Sequence, residues 1–145
     1  MELVVKTFDE LTTGELYDIL KLRVDVFVVE QACPYEEVDG KDRQSVHVYL
    51  KDETGIKAYL RVIKAGVAFD DVAIGRVIAR ERRQGLGTEI LQAGINAAKD
   101  YYNAVRIVLE AQTYARGLYE KAGFVQTSEE FVEDGIPHIR MMLEL

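Results

Sequence analysis

VAIGRVIARERRQGLGT, the stretch from Val72 to Thr88, contains three features next to one another. Its first eight residues are a strand-like run in which Arg76 is the one charged side chain. Three arginines follow within four residues, and then Gly85 and Gly87 precede a helix that we expect to begin at Thr88. Glycine lets backbone N–H groups approach an anion closely, and a helix start adds unpaired N–H groups and a positive dipole end. The order strand, arginines, glycines, helix therefore predicts a site for a phosphorylated ligand.

The whole chain reads as one globular domain over residues 1–145, because 48% of its residues are hydrophobic and 30% are charged. A formal net charge of −7 disfavours nucleic acid as a partner and leaves room for a cationic amine. No apolar run approaches the roughly 20 residues that cross a bilayer, and the first residues are acidic where a signal peptide is basic. A single cysteine, Cys33, excludes an intramolecular disulfide. We therefore expect a cytoplasmic protein with no membrane partner.

Hydrophobic periodicity predicts an α/β order in which a β-α unit, an irregular segment and three strands precede a β-α-β-α-β-β pattern. Thr12 and Glu15 form a capping-box pattern for the first helix, which should run to about Val26. Residues 28–45 have no clear period, and a long irregular segment in a compact domain is often functional. The remaining elements are predicted at Val46–Lys51, Ile56–Lys64, Val72–Ala79, Thr88–Tyr102 (helix), Val105–Ala111, Tyr114–Lys121 (helix), Phe124–Thr127 and His138–Glu144, the last two joined by an acidic loop and a DGIP turn.

Three kinds of phosphate loop compete for the glycine pair. A Walker A loop fails because no Lys-Ser/Thr pair follows Gly85 or Gly87. A Rossmann fingerprint fails because Ile90 stands where its third glycine should be, and because three strands come before it. The pattern [QR]-x-x-G-x-[GA] fits at residues 82–87, RRQGLG. A nucleotide-binding protein is thereby disfavoured.

A second motif at residues 117–124, GLYEKAGF, joins this hexapeptide, and together they resemble the GNAT superfamily of acyl-CoA-dependent N-acyltransferases. The similarity extends over the whole chain. Other segments are similar to the ElaA branch of that superfamily: FVVEQ at 27–31, CPY at 33–35, Asp39, Gly40 and Asp42, IGRV at 74–77 and DGIPHI at 134–139. The resemblance implies the GNAT fold, with a mixed, mostly antiparallel central sheet flanked by helices.

The resemblance also implies an N-acetyltransferase that uses acetyl-CoA as acyl donor, without a metal, and a homodimer would be consistent with it. In members of the superfamily the first motif holds the coenzyme A pyrophosphate, and the strand before it binds the thioester and pantetheine. Carried over residue by residue, the cofactor-binding positions are Val77, Ile78, Ala79, Arg82, Arg83, Gln84, Gly85, Leu86, Gly87, Thr88 and Gln112. Gln112 stands where the superfamily often has asparagine, and the stretch between Val77 and Arg82 is about two residues shorter than usual and lacks the common proline.

The implied chemistry is direct attack of a primary amine on the thioester, so the enzyme positions the reactants and stabilises charge. The Val77 N–H would donate to the thioester carbonyl. Tyr119, in the LYEK segment, would protonate the leaving thiolate, since its ordinary pKa of about 10 is close to that of a thiol. Without the motif, the same residues would read as a buried strand and a core tyrosine.

The acceptor end is less determined by the sequence. Glu110, Glu30 and His138 are alternative general bases, and the acidic segment around Glu30 and Asp39 suits a cationic amine or forms a solvated loop. We take Glu30, Asp39 and His138 as substrate-binding candidates. His47 and His138 lack metal-ligand spacing, so no metal is expected. The alternative function is a non-catalytic acyl-CoA-binding regulatory module.

Overall fold

A computed structural model describes residues 1–80 and 85–145 of the chain. Its strands are β1 (Glu2–Thr7), β2 (Ser45–Asp52), β3 (Gly55–Ile63), β4 (Val72–Ala79), β5 (Arg106–Gln112), β6 (Val125–Gln126), β7 (Phe131–Glu133) and β8 (Ile136–Glu144). Its α-helices are α1 (Thr13–Arg23), α2 (Leu86–Tyr102) and α3 (Arg116–Lys121). The predicted bounds of β4 agree with the structure at both ends.

The described strands form one mixed sheet in the order β1-β2-β3-β4-β5-β8-β6, with β7 paired to β8. Every pairing is antiparallel except the one between β4 and β5. This parallel pair is joined by the crossover through α2, as a parallel connection requires. The mixed, mostly antiparallel sheet with flanking helices confirms the predicted fold class.

Alternation along the central strands sends apolar side chains to both faces of the sheet. Even-numbered residues of β2 and β3, such as Val48 and Leu60, pack against α2 in the main core. Odd-numbered residues, such as Tyr49 and Tyr59, form a second cluster with Ile19 of α1. Both faces of the sheet are therefore buried near its centre.

The first helix begins as the sequence predicts. Thr12 Oγ1 accepts a 3.1 Å bond from the Glu15 amide, and a Glu15 carboxylate oxygen accepts a 2.9 Å bond from the Thr12 amide. Beyond Arg23 the chain continues as a π-helical segment, Val24–Glu30, where the sequence predicted a helix end near Val26 and then irregular chain. That expectation was wrong because Val26 and Phe27 pack against the Ile19 cluster, which keeps this valine-rich stretch helical.

Two other local expectations also differ from the structure. The predicted acidic loop before the DGIP turn contains a strand, β7, which forms a hairpin with β8. The predicted helix Tyr114–Lys121 is divided into a 3₁₀ turn, Thr113–Ala115, and α3. Within the described residues, no helix is both long and apolar enough to cross a membrane.

Candidate active site

The two parallel strands separate soon after they meet. Their ladder joins Val72 to Ile107 and Ala73 to Val108, and it joins no later pair of described residues. Beyond it the two strands continue to Ala79 and Gln112, with a cavity of about 660 Å³ lined by side chains of both. Strand edges that diverge in this way can hold an extended ligand through main-chain hydrogen bonds.

A β-bulge in β4 lies at the wall of this cavity. Ile78 lies opposite Tyr59 and Gly75 opposite Arg61, so β4 has two residues where β3 has one. Arg76, within the bulge, has a φ of +54°, in the left-handed region. The extra residue reverses the alternation, so that Val77 and Ala79 pack towards the α2 side while Ile78 joins the cluster on the α1 side.

The bulge determines which of the predicted strand residues reach the cavity. Val77 lines it, whereas Ile78 and Ala79 are not among its lining residues. Ile78 and Ala79 instead continue the ladder opposite Tyr59 and Ala58. Among the described residues, Val77 has no Cα partner in either neighbouring strand, so its main chain interrupts the regular ladder next to the cleft.

The predicted anion site lies at the start of α2. Gly85 is the N-cap residue with a φ of +70°, and a Cβ built there would meet no atom within 4 Å. The amides of the first turn of α2 have no intrahelical partner, and the first intrahelical bond in the described part of α2 runs from the Glu89 amide to the Gly85 carbonyl. Leu86 is buried and Thr88 is exposed. Arg82, Arg83 and Gln84 lie outside the described residues.

Gly87 sets the distance between the start of α2 and the helix that carries the predicted acid. A Cβ at this position would lie 3.3 Å from Leu118 Cδ1 and 3.8 Å from the Cβ of Ala79. The absence of a side chain therefore lets α2 pack closely on α3 and β4. The glycine pair thus has two different local roles, a left-handed cap and a close helix contact.

Tyr119 lines the cavity and is only 6% exposed. Its ring packs edge-to-face on Phe124, with centroids 6.0 Å apart. In the part of the chain that the structure describes, no group hydrogen-bonds to its hydroxyl. Burial, and then the neighbouring Tyr114, raise the pKa of Tyr119 above its ordinary value, so the phenol stays protonated at neutral pH but is a weaker acid than the ordinary pKa used in the sequence argument implies.

Gln112 lies at the end of β5 and also lines the cavity. Its side-chain amide exchanges two long hydrogen bonds with Gln31, of 3.3 and 3.4 Å. Gln31 follows the π-helical segment and lines the same cavity. The pair therefore connects the β5 wall to residues 31–42, which line the cleft and which we call the covering segment.

Two of the acidic residues predicted to bind substrate are held by arginines. Glu30 accepts a 2.7 Å bond from Arg80 and lies outside the cavity lining. Asp39 lines the cavity, but its carboxylate is bonded to Arg61 and Arg76. Burial opposes the charge of Asp39, yet Arg61 and then Arg76 hold the pKa of this carboxyl well below its usual range. The substrate role of both residues stays a prediction.

His138 and Glu110 line the cavity on the β5–β8 side. His138 Nδ1 lies 2.7 Å from the Ile136 carbonyl oxygen, which can only accept, so the neutral ring carries its proton on Nδ1. Its Nε2 is thereby left with a lone pair. Arg140 Nε lies 3.4 Å from Glu110 Oε2 at the exposed side of the sheet.

The sequence reasoning missed Glu133, which joins these groups at the cavity from the new strand β7. Burial, and then the charge of Glu110, raise the pKa of Glu133 above its ordinary value. Because the Glu133 side chain remains partly in water, it marks the mouth of the cavity. Its position depends on the β7–β8 hairpin, which was not predicted because the acidic sequence of this segment is typical of a loop.

The sequence reasoning also missed a network of three arginines and three carboxylates, which we call the clasp. Its cations come from α1, β3 and β4, and its anions come from the segment that covers the cleft. The clasp consists of Arg23, Arg61, Arg76, Glu37, Asp39 and Asp42. The sequence feature that could have revealed the clasp is the presence of arginines within apolar strands together with a separate acidic segment, since a buried charge requires a partner.

The chain is similar in sequence and in fold to several known proteins. Residues 16–145 match the family model described as an acetyltransferase (GNAT) domain. The protein ElaA of Escherichia coli is 35% identical over 94% of this chain and 92% of its own, and UPF0039 protein C11D3.02c of Schizosaccharomyces pombe is 41% identical over 100% and 98%. The crystal structure of E. coli ElaA gives a TM-score of 0.92, with 33% identity and 99% of each chain covered. That of an acyl-CoA N-acyltransferase from Pseudomonas aeruginosa gives 0.89, with 36% identity over 98% of this chain and 99% of that one.

Proposed function

Because this chain belongs to the GNAT family of acetyltransferases, in its ElaA-like branch, we propose that it transfers an acetyl group from acetyl-CoA to a primary amine. The observation that carries the proposal is the cleft between β4 and β5, which is lined by Val77 on one wall and by the largely buried side chain of Tyr119. The name of the P. aeruginosa relative supports an acyl-CoA donor. Such a donor is plentiful in the cytoplasm, where we place the enzyme.

The residues present suit a coenzyme A thioester. The amides at the start of α2, next to the open left-handed turn at Gly85, would hold the pyrophosphate. The diverging edge of β4 would pair with the pantetheine arm, since that arm carries amide groups. Arg82, Arg83, Gln84 and Thr88 would add further hydrogen-bond donors.

The reaction joins the amine nitrogen to the acyl carbon and breaks the carbon–sulfur bond. The Val77 N–H donates to the acyl oxygen as negative charge develops there. Tyr119 gives its hydroxyl proton to the sulfur as the thiolate leaves, and solvent returns a proton to the phenolate. The ammonium form of the amine loses one proton before attack, and the amide product loses a second proton to a base or to water.

The acceptor is expected to be cationic when it arrives, because a primary amine is mostly protonated at neutral pH. Glu110 and Glu133 would attract it to the cavity mouth. His138 Nε2 and Glu110 would be the groups able to take its proton. Glu30 is left as a more distant candidate because its partner is Arg80.

The test is release of free thiol from acetyl-CoA in the presence of a panel of acceptors: n-butylamine, putrescine, tyramine and a dialanine peptide. Amine-dependent release, with a mass shift of the amine by one acetyl group, is the expected result. Binding of acetyl-CoA by calorimetry without release for any acceptor would favour the regulatory module instead. Absence of acetyl-CoA binding would contradict both functions.

A further inference from the structure

Arg76 is an unusual residue for the conformation that it adopts. It lies in the bulge of β4, directly before Val77, with a φ of +54°. In this region a side chain crowds the backbone, and glycine adopts it with less strain. The neighbouring Gly75 does not have a positive φ, so the strained conformation falls on the residue that carries a long side chain.

The side chain of Arg76 accounts for its presence in the bulge. Its Nε donates a 2.8 Å bond to Glu37 Oε2, and its Nη2 lies 3.4 Å from the Glu37 carbonyl oxygen and from Asp39 Oδ2. Its guanidinium also lies over the ring of Tyr35, 5.4 Å from the centroid. One side chain in the bulge therefore contacts three residues of the covering segment.

The carboxylates that hold Arg76 are themselves fixed by other parts of the clasp. Glu37 Oε2 also accepts a 2.7 Å bond from Arg23 Nε. The two carboxylate oxygens of Asp39 accept hydrogen bonds from the two terminal nitrogens of Arg61. Arg23 and Arg61 are almost completely buried, whereas the Arg76 side chain is 21% exposed. Arg76 is thus the outer cation of a network whose inner part would persist without it.

We propose that Arg76 is a positioning residue, which holds the β4 bulge so that the Val77 N–H points to the acyl oxygen, and which ties this donor to the segment covering the acceptor. The proposal rests on the proposed function. The covering segment contributes Cys33, Tyr35 and Asp39 to the cavity, and Val77 contributes from the opposite side. A displacement of the bulge therefore alters both the donor and the acceptor wall.

The test uses Arg76→Gly and Arg76→Lys with acetyl-CoA and the best acceptor of the panel. Arg76→Gly accepts the positive φ and removes every contact with the covering segment, so we expect it to fold and to lose about 10- to 100-fold in kcat, with little change in the Kd for acetyl-CoA. Arg76→Lys keeps the charge but not the planar fork, so its loss should be smaller. Guanidinium ion should restore part of kcat when it is added to Arg76→Gly, and it should not raise kcat of the wild type.

A second measurement does not depend on turnover. Hydrogen exchange of the Arg80 amide, which donates a 2.8 Å bond to the Lys57 carbonyl oxygen just beyond the bulged strand, should be faster in Arg76→Gly than in the wild type and intermediate in Arg76→Lys when it is followed by NMR without acceptor. Arg43→Ala is the matched control, because Arg43 is exposed and packs over Phe8 away from the cavity. It should change neither kcat nor the exchange of the Arg80 amide.

The outcomes separate this proposal from the proposed function. If the wild type acetylates no amine, the acetyltransferase proposal fails, and the exchange rates of the Arg80 amide alone decide whether Arg76 holds the bulge. Unchanged exchange in both Arg76 variants would overturn that role, as would an equal loss of kcat in Arg43→Ala. If Arg76→Gly does not fold, Arg76→Lys gives the same two measurements.

Discussion

The Tyr59 hydroxyl lies 2.8 Å from Nδ1 of His47, and both side chains are completely buried between α1 and the sheet. His47 Nε2 lies 3.0 Å from the Asp42 carbonyl oxygen, which can only accept. The neutral ring therefore carries its proton on Nε2, and its Nδ1 accepts a hydrogen bond from the Tyr59 hydroxyl. This neutral tautomer joins β2 and β3 to the backbone of the clasp.

The buried histidine predicts a loss of stability in mild acid. Burial lowers the pKa of His47, although the Asp42 carbonyl and carboxylate oppose this and Arg23 and Arg61 add to it. The unfolded chain, with a histidine pKa of about 6.5, binds the proton more readily than the folded chain. The contribution of His47 to the free energy of unfolding should therefore be complete above a pH of about 6.5 and should decrease as the pH falls below it. Urea unfolding at pH 7.5, 6.5 and 5.5 measures the slope.

The control for this prediction is His47→Gln, which does not titrate. It should be less stable than the wild type at pH 7.5 and show a flatter dependence between pH 5.5 and 7.5. Parallel slopes for the wild type and His47→Gln would contradict the assignment of this effect to His47.

Close packing between α2 and β3 predicts a second effect on stability. A Cβ on Gly94 would lie 2.7 Å from Leu60 Cδ2, and Leu60 is completely buried. We expect Gly94→Ala to lower the free energy of unfolding by about 1–3 kcal/mol through overpacking. Leu60→Ala should lower it by about 2–5 kcal/mol through the cavity that it leaves.

The double variant tests whether the two effects share one cause. In Gly94→Ala with Leu60→Ala, the new methyl group occupies part of the space that leucine leaves, so the combined loss should be smaller than the sum. Urea unfolding of the four proteins gives the coupling. Additive losses would mean that the helix moves away from the sheet instead of clashing with Leu60.

The parts of this molecule that the sequence predicted are those with local causes. The period of residues 72–79 and the capping pair of Thr12 and Glu15 depend on near neighbours, and the structure agrees with them. The bulge at Arg76 could not be predicted, because the Arg76 guanidinium pairs with Glu37, which lies 39 positions earlier in the chain. For the same reason the ion pairs of Asp39 with arginines from two distant strands could not be predicted from its acidic segment.

Tyr119 predicts a separation of binding from turnover. Tyr119→Phe keeps the edge-to-face contact with Phe124 and removes only the hydroxyl. We expect kcat for amine acetylation to fall about 100-fold or more while the Kd for acetyl-CoA stays within about twofold. Because the pKa of Tyr119 is raised, wild-type kcat should show no loss from phenol ionisation below about pH 10.

Tyr17→Phe is the matched control for Tyr119→Phe. Tyr17 lies on the exposed face of α1 and does not line the cavity. The same loss of one hydroxyl should leave kcat unchanged there. Wild-type turnover in Tyr119→Phe would remove the proposed acid role and leave proton delivery to water.

Glu110 predicts the charge preference of the acceptor site. Its carboxylate lines the cavity beside Glu133, and its partner Arg140 is exposed, so Glu110→Gln removes one negative charge where an ammonium group would enter. We expect the KM for putrescine to rise about tenfold, with a smaller rise for n-butylamine and no change in the Kd for acetyl-CoA. Glu120→Gln, on the exposed side of α3 beside Arg116, removes the same charge outside the cavity and should leave all three constants unchanged. Added salt should reduce the difference between wild type and Glu110→Gln because mobile ions screen the attraction; equal KM values for the two proteins at low salt would place the ammonium site elsewhere.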